Sequence, residues 1–256
     1  MFDFAYETYF LGTRTVRRFL RVPSNWITLI FFPLINLLVF SQIYKDIVQL
    51  PGFSGESSYL GYLAPGQVAF TALMAVAWSA YGLLLEYRGG YLDKLRAQPI
   101  GRWSILAGEM VPLFFQAALM SGILLLVSLL LGARIVTGVG GALLILALSG
   151  GFGIAFAGMS FIPALLTKNE QATSSLALLL FPLVFMSTAF VPQPLMPEWM
   201  QVINLWNPVT YLIEAIRALM VSGYDWNAVG SALLSMVIVG VVLQIGTLWA
   251  FHRLAR

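Results

Sequence analysis

Long uncharged apolar tracts alternate with short charged segments along this chain. The tracts cover residues 26–44, 62–85, 111–131, 139–166, 172–191 and 228–251, none shorter than nineteen residues. Nineteen helical residues rise about 28 Å against a hydrocarbon core of about 30 Å, so each tract reads as a membrane-spanning helix. The first carries Trp26 and Tyr44 at its ends, where aromatic belts sit, and Pro33, Asn36 and Gln42 within it. Polar side chains inside a span face protein or a cavity, so this helix is expected to line an interface. The fourth tract holds Ser149-Gly150-Gly151-Phe152-Gly153 and Gly158. Small residues let helices approach closely, so these predict packing. A phosphate cradle fits poorly, because no strand precedes the glycines and no lysine follows.

Residues 3–22 follow a different period. At about 100° per residue, Arg14, Arg17, Arg18 and Arg21 share an arc of about 100°, with Tyr9, Val16, Phe19 and Leu20 opposite. That pattern predicts an amphipathic helix in the membrane interface, its arginines toward anionic lipid headgroups. Pro23 and Ser24 then turn the chain into the bilayer. The first charge-free apolar run comes after Arg21, so no amino-terminal secretion signal is expected.

Two connecting segments stand out. After the fifth tract, helices are expected near residues 197–205 and 209–221. The latter has about fourteen residues between its breakers Pro208 and Gly223. At about 21 Å it is too short to cross, so residues 197–221 read as two re-entrant or external helices. Glu214 and Arg217, at i and i+3, can pair there. After the second tract, residues 86–102 read EYRGGYLDKLRAQPIGR, with six charges in seventeen residues. Gly89-Gly90 gives a joint, and Pro99 with Gly101 ends a helix of about two turns over 91–97. Tyr91 and Leu95 would share one face of it, away from Lys94. Such a helix suits docking of a soluble partner; a solvated loop held inside by its positive charge accounts for it equally well. Glu109, just before the third tract, reads as an interfacial carboxylate.

Composition agrees. Hydrophobic residues make up 59% and charged residues 10% of the chain, against about 25% charged in soluble domains. Mean hydropathy is +0.86. With no cysteine and a single histidine, His252, disulfides, thiol chemistry and a histidine metal cluster are excluded. Six spans place eleven of fourteen lysines and arginines on the side of both termini, leaving Lys45, Arg134 and Arg217 opposite. The positive-inside rule therefore predicts cytoplasmic termini. A seventh span at 209–221 would export the basic carboxyl end and is rejected. The expected fold is all-α integral membrane, one domain over residues 1–256.

An amphipathic start, six spans, a charged loop after the second and two short helices after the fifth resemble the type-2 ABC exporter permeases. Residues 181–219 carry the most specific likeness, through Phe190, Pro192, Leu195-Met196-Pro197, Trp199, Asn207-Pro208, Tyr211 and Arg217. Residues 86–102 resemble that family's coupling-helix region. The resemblance implies two permease chains, a homodimer for preference, with two separate ABC ATPase subunits docked beneath them. ATP and magnesium would sit on those subunits, with no cofactor and no catalytic residue in this chain. No phosphate-binding G-x-x-x-x-G-K-[ST] sequence is present, nor any Gly-Lys pair. ATPase coupling would fall to Glu86, Arg88, Tyr91, Asp93, Lys94, Leu95, Arg96 and Pro99, and the external helices would present Asn207, Pro208, Tyr211, Glu214 and Arg217. The family places the substrate path between two copies, along the first, second and fifth spans. There Phe31, Phe32, Asn36, Phe40, Phe181, Phe185 and Met186 offer aromatic and soft surface to an amphipathic, drug-like or antibiotic-like guest. For any single one, helix packing or lipid contact is the simpler account. A lipid-linked polysaccharide is the second substrate reading. An ion-coupled secondary transporter is the reading of another class, and it needs ionisable groups at mid-membrane that the six tracts lack. The expected location is a bacterial cytoplasmic membrane. Nucleic acid is not an expected partner.

Overall fold

The computed structural model describes residues 2–21, 23–49, 53, 58–89, 102–169, 171–173 and 180–254. Among these, all regular structure is helical. Helix α1 spans Phe2–Arg21, α2 Pro23–Ile43, α3 Tyr59–Arg88 and α4 Arg102–Leu130. Then follow α5 (Gly138–Phe156), α6 (Gly158–Thr167), α7 (Leu180–Phe185), α8 (Glu198–Trp206), α9 (Pro208–Arg217) and α10 (Trp226–Leu254). Four stretches among the described residues are long and apolar enough to cross a bilayer: Tyr59–Ala77, Ala107–Leu130, Gly138–Thr167 and Trp226–Arg253. Helix α2 adds a run of 21 residues that continues through Pro33. Of the expected fifth span, residues 174–179 lie outside the described residues.

Helix α3 is the central pillar. In Tyr59–Ala77, 89% of residues are buried, against 22% in the span of α10. Its small residues explain the enclosure. Ala64, Ala69 and Ala72 are fully buried, and a Cβ on Gly66 would stand 2.5 Å from the carbonyl oxygen of Ala189. In a bilayer, where apolar burial between helices gains little over lipid contact, such close backbone approach supplies much of the attraction. Helix α10 by contrast shows Leu234, Val237, Val242 and Ile245 to the surroundings, as a lipid-facing helix does.

The fourth tract forms two helices that meet at Ala157. There φ −50° and ψ −38° stay near helical values and the amide still donates to the Ile154 carbonyl, 3.3 Å away. The break sits where Gly158 meets α10: a Cβ there would be 2.7 Å from the Leu243 carbonyl oxygen. Gly150 and Gly153 likewise leave room for Phe114 and for Ala117 of α4. The glycines pack helices, as expected.

Helix α1 lies against α4. A Cβ on Gly108 would sit 2.5 Å from that of Leu11, and Gly12 stands over Pro112. The buried Thr15 donates to Glu109 Oε1 at 3.3 Å. Glu109, expected as an interfacial carboxylate, is enclosed by α1 and only 8% exposed. The arginines divide too. Arg14, Arg17 and Arg21 are exposed, but half-buried Arg18 turns inward until its guanidinium covers Gly82 of α3. The amphipathic pattern thus serves protein packing.

A second, smaller core lies at this end of the bundle, where Leu84, Met110, Phe161, Leu165 and Phe251 meet. Segments bearing Arg14, Arg17, Arg18, Arg21, Lys168 and Arg253 gather around it. Lys45, Arg134 and Arg217 belong to the opposite end.

Candidate functional site

Helix periodicity puts Phe32, Asn36 and Phe40 on one stripe of α2, at i, i+4 and i+8. That stripe meets aromatic residues of α3, of α7 and of the turn after it. The Phe32 ring centroid is 5.8 Å from Phe70 and 6.0 Å from Phe181, which are 5.7 Å apart. Phe181 stacks on Phe185 at 6.4 Å, and Phe185 on Phe190 at 5.2 Å. Phe190 lies edge-on to Phe40 at 5.8 Å. From Phe40 the contacts pass to Tyr44, Tyr59 and Tyr62, each step 5.7–6.3 Å. Each such pair adds about 0.5–1.5 kcal/mol beyond its buried area. The result is a continuous aromatic seam along α2, α3 and α7.

Two features make the seam more than core. Phe32 and Phe185 are 44% and 47% exposed, so its middle opens at the surface. Asn36 is buried between the two ring groups, and its Nδ2 donor finds no protein partner. A buried unmade hydrogen bond costs about 1–3 kcal/mol, which a polar group on a guest would relieve. Met186 is half-buried after α7. Phe31 stands apart: it is 60% exposed on the outer face of α2, and among the described residues no ring packs against it. Phe70, Phe190, Tyr44, Tyr59 and Tyr62 complete the seam beyond the expected path residues. The α3 members were legible in principle, since Tyr59, Tyr62, Gly66 and Phe70 fall at i, i+3, i+7 and i+11.

The seam ends in a polar knot. Arg217 Nη1 pairs with Glu214 Oε1 at 2.5 Å, the i, i+3 pair expected from the sequence. Nη2 donates to the Thr188 carbonyl at 2.7 Å, and the guanidinium carbon stands 4.1 Å from the Tyr62 ring centroid. Tyr62 donates its hydroxyl to the same Thr188 carbonyl at 2.9 Å, while the Thr188 hydroxyl donates to Glu214. Tyr59 does the same for the Phe190 carbonyl at 2.9 Å. Arg217 is only 9% exposed, and its charge needs such partners, because an unpaired buried charge costs several kcal/mol. The knot joins α9, α3 and the end of the fifth tract.

The two short helices differ. Helix α8 shows Trp199, Val202, Leu205 and Trp206 on the surface, whereas α9 buries Leu212, Ile213, Ala215 and Ile216 completely. Asn207 starts α9: its side-chain oxygen accepts from the Val209 amide at 3.0 Å, and its Nδ2 donates to the Leu183 carbonyl at 2.5 Å. Pro208 occupies the first helical position, where a missing amide hydrogen costs nothing. Tyr211 donates back to the Leu205 carbonyl at 2.6 Å, fixing the corner between α8 and α9. A π-helical turn, Ala218–Ser222, follows α9 and stops at Gly223, whose φ of 117° favours glycine. Within it the Met220 carbonyl accepts from the Val136 amide at 2.9 Å, and that of Leu219 from the Thr137 hydroxyl at 2.6 Å. The loop between α4 and α5 therefore meets the end of α9.

Of the expected coupling residues, Glu86 and Arg88 occupy the last turn of α3. Tyr91, Asp93, Lys94, Leu95, Arg96 and Pro99 lie outside the described residues. Among the described residues no three His, Cys, Asp or Glu side chains gather as metal ligands would.

Comparison with known proteins adds an independent finding. Residues 6–221 match the ABC-2 type transporter family. The chain is 28% identical, over 81% of its length and 72% of the relative's, to the daunorubicin resistance ABC transporter permease protein DrrB1 of Streptomyces coeruleorubidus. It is 30% identical to ycf38 of Cyanophora paradoxa, named as a transport permease, over 85% of this chain and 75% of the relative. The probable doxorubicin resistance ABC transporter permease protein DrrC of Mycobacterium tuberculosis is 25% identical over 86% and 79%.

Proposed function

This chain belongs to the ABC-2 type transporter family as a permease component, and from that premise we propose that it exports amphipathic or hydrophobic drug-like compounds, driven by a separate ATPase. One observation carries the substrate reading: the aromatic seam opens at Phe32 and Phe185 and keeps an unpartnered Asn36 amide between its rings. Flat apolar compounds with a few polar groups suit both features. Two of the similar permeases bear names of resistance to such compounds, daunorubicin and doxorubicin.

In this reading two copies face each other across the path. Helix α2 supports that arrangement, because Ile27, Phe31, Ile35 and Leu38 leave its outer face bare. Phe31 would then meet the second copy or the guest. Two ATPase subunits, carrying ATP and magnesium, dock on residues 86–102 at the basic end. Tyr91 and Leu95 fill an apolar groove on the ATPase, Asp93, Lys94 and Arg96 set register at its rim, and Pro99 ends the helix. Glu86 and Arg88 continue α3 into that helix, so its displacement reaches the central pillar. The knot at Arg217 ties α9 to the same pillar at the far end, which makes α3 a shaft between the motor and the outer closure. The chain resides in a bacterial cytoplasmic membrane with both termini inside.

The test is substrate choice. Alanine at Phe32, Phe40, Phe181 and Phe185 together is expected to reorder preference among several exported compounds while the two-chain assembly persists. Unchanged transport of every compound would refute the seam as the path.

A further inference from the structure

A groove of about 480 Å³ runs between α1 and α4. Tyr9, Val16 and Arg17 wall one side, and Val111, Pro112 and Phe115 the other. Val111 and Phe115 are 39% and 56% exposed and continue with Leu119 as an apolar stripe down α4, at i, i+4 and i+8. From Val111 to Leu119 the helix rises about 12 Å, most of the roughly 15 Å of hydrocarbon in one leaflet. At the mouth Arg17 is exposed and makes no ion pair among the described residues. Arg14 and Arg21 are exposed beside it on the same arc of α1.

An apolar slot that runs into a lipid-facing stripe, under a cationic rim, matches a single ligand chemistry. We propose that the groove is a discrete binding site for an anionic phospholipid of the surrounding bilayer. One acyl chain lies in the groove and along Val111, Phe115 and Leu119, and the phosphate sits on Arg17. Diffuse attraction of α1 to a charged surface would need only the arginine arc; the groove adds a seat for one molecule. Bound there, the lipid fastens α1 to α4 beside the enclosed Thr15–Glu109 contact. The proposal rests on the chain being a membrane permease and is independent of what that permease carries.

Native mass spectrometry of the full-length chain, released from detergent after equilibration with phosphatidylglycerol or phosphatidylcholine, tests it. Wild type is expected to retain phosphatidylglycerol about fivefold better, the worth of one basic residue near a lipid headgroup. Arg17→Gln should abolish that preference, Arg17→Lys should keep it, and Arg134→Gln at the other end should leave it unchanged. Thr13→Trp, which fills the groove from α1, should lower retention of both lipids. Equal retention of the two lipids by wild type overturns the proposal, as does a preference indifferent to Arg17→Gln. Displacement of the lipid by an exported compound would make the groove a cargo site and equally overturn it. Loss of substrate preference in the seam variants with lipid retention intact would separate this site from the transport path.

Discussion

Replacing Arg217 by methionine keeps most of the side-chain volume and removes the charge from the knot that joins α9, α3 and the end of the fifth tract. Its contacts with Thr188, Tyr62 and Glu214 disappear. The hydrogen bond to the Thr188 carbonyl, 2.7 Å long and buried, is charge-assisted and worth about 1.5–3 kcal/mol. The face contact with Tyr62 at 4.1 Å adds about 1 kcal/mol. The ion pair with Glu214 adds less, because that carboxylate is 44% exposed and screened pairs give at most about 1 kcal/mol. These terms share one group and do not add fully, so a loss of about 3 kcal/mol is expected. For a chain of this size that is about 6–12 °C in Tm, measurable by tryptophan fluorescence in detergent. Glu214→Gln, which keeps a hydrogen-bonding oxygen, should cost at most about 1 kcal/mol. An Arg217→Met melt within about 2 °C of wild type, or an equal cost for Glu214→Gln, would show that the Arg217 charge does not hold the knot.

Three further outcomes are expected. Gly66→Val places carbon against the Ala189 backbone and should destabilise by more than about 3 kcal/mol, whereas Gly230→Ala meets open space and should be neutral; a thermal melt compares them. Glutamate at Arg14, Arg17, Arg18 and Arg21 together reverses a headgroup attraction of about 1 kcal/mol per residue and should impair membrane assembly, read as yield of folded protein. Single cysteines at the exposed Leu205, Trp206 and Ser222, in a chain with no native cysteine, should react with an impermeant thiol reagent from the external side; labelling only from the cytoplasmic side would refute the six-span topology.

The apolar tracts and the basic residues made the helical architecture legible, because length and lysine-arginine sorting are local properties of the chain. The pair Glu214–Arg217 was legible for the same reason, being one turn apart on one helix. Its surroundings were not. That α9 would bury Leu212 and Ile216 completely, and that Arg217 would reach Thr188, 29 residues before it, and Tyr62 on α3, depends on packing between separate helices. The seam was half visible: Phe32, Asn36 and Phe40 declare their stripe by spacing, but Phe70 and Phe190 join it only through tertiary packing. Helix α1 shows the opposite limit. Its arginine arc predicted an interface helix, yet Leu11, Gly12 and Thr15 form a protein-facing side that a two-sided wheel does not reveal. The break at Ala157 carries no sequence signal beyond the glycine that follows.

In the proposed mechanism this permease moves its substrate on work delivered by an ATPase at residues 86–102. Co-reconstitution of the chain with its ATPase in liposomes, followed by the fluorescence of an amphipathic aromatic dye, measures that directly. Transport is expected to require ATP and to persist when a protonophore collapses the ion gradient. It should be lost in Tyr91→Ala plus Leu95→Ala, although that variant folds and assembles. Dye movement that runs on an ion gradient without ATP, or normal transport by the double variant, would rule out an ATPase working through residues 86–102.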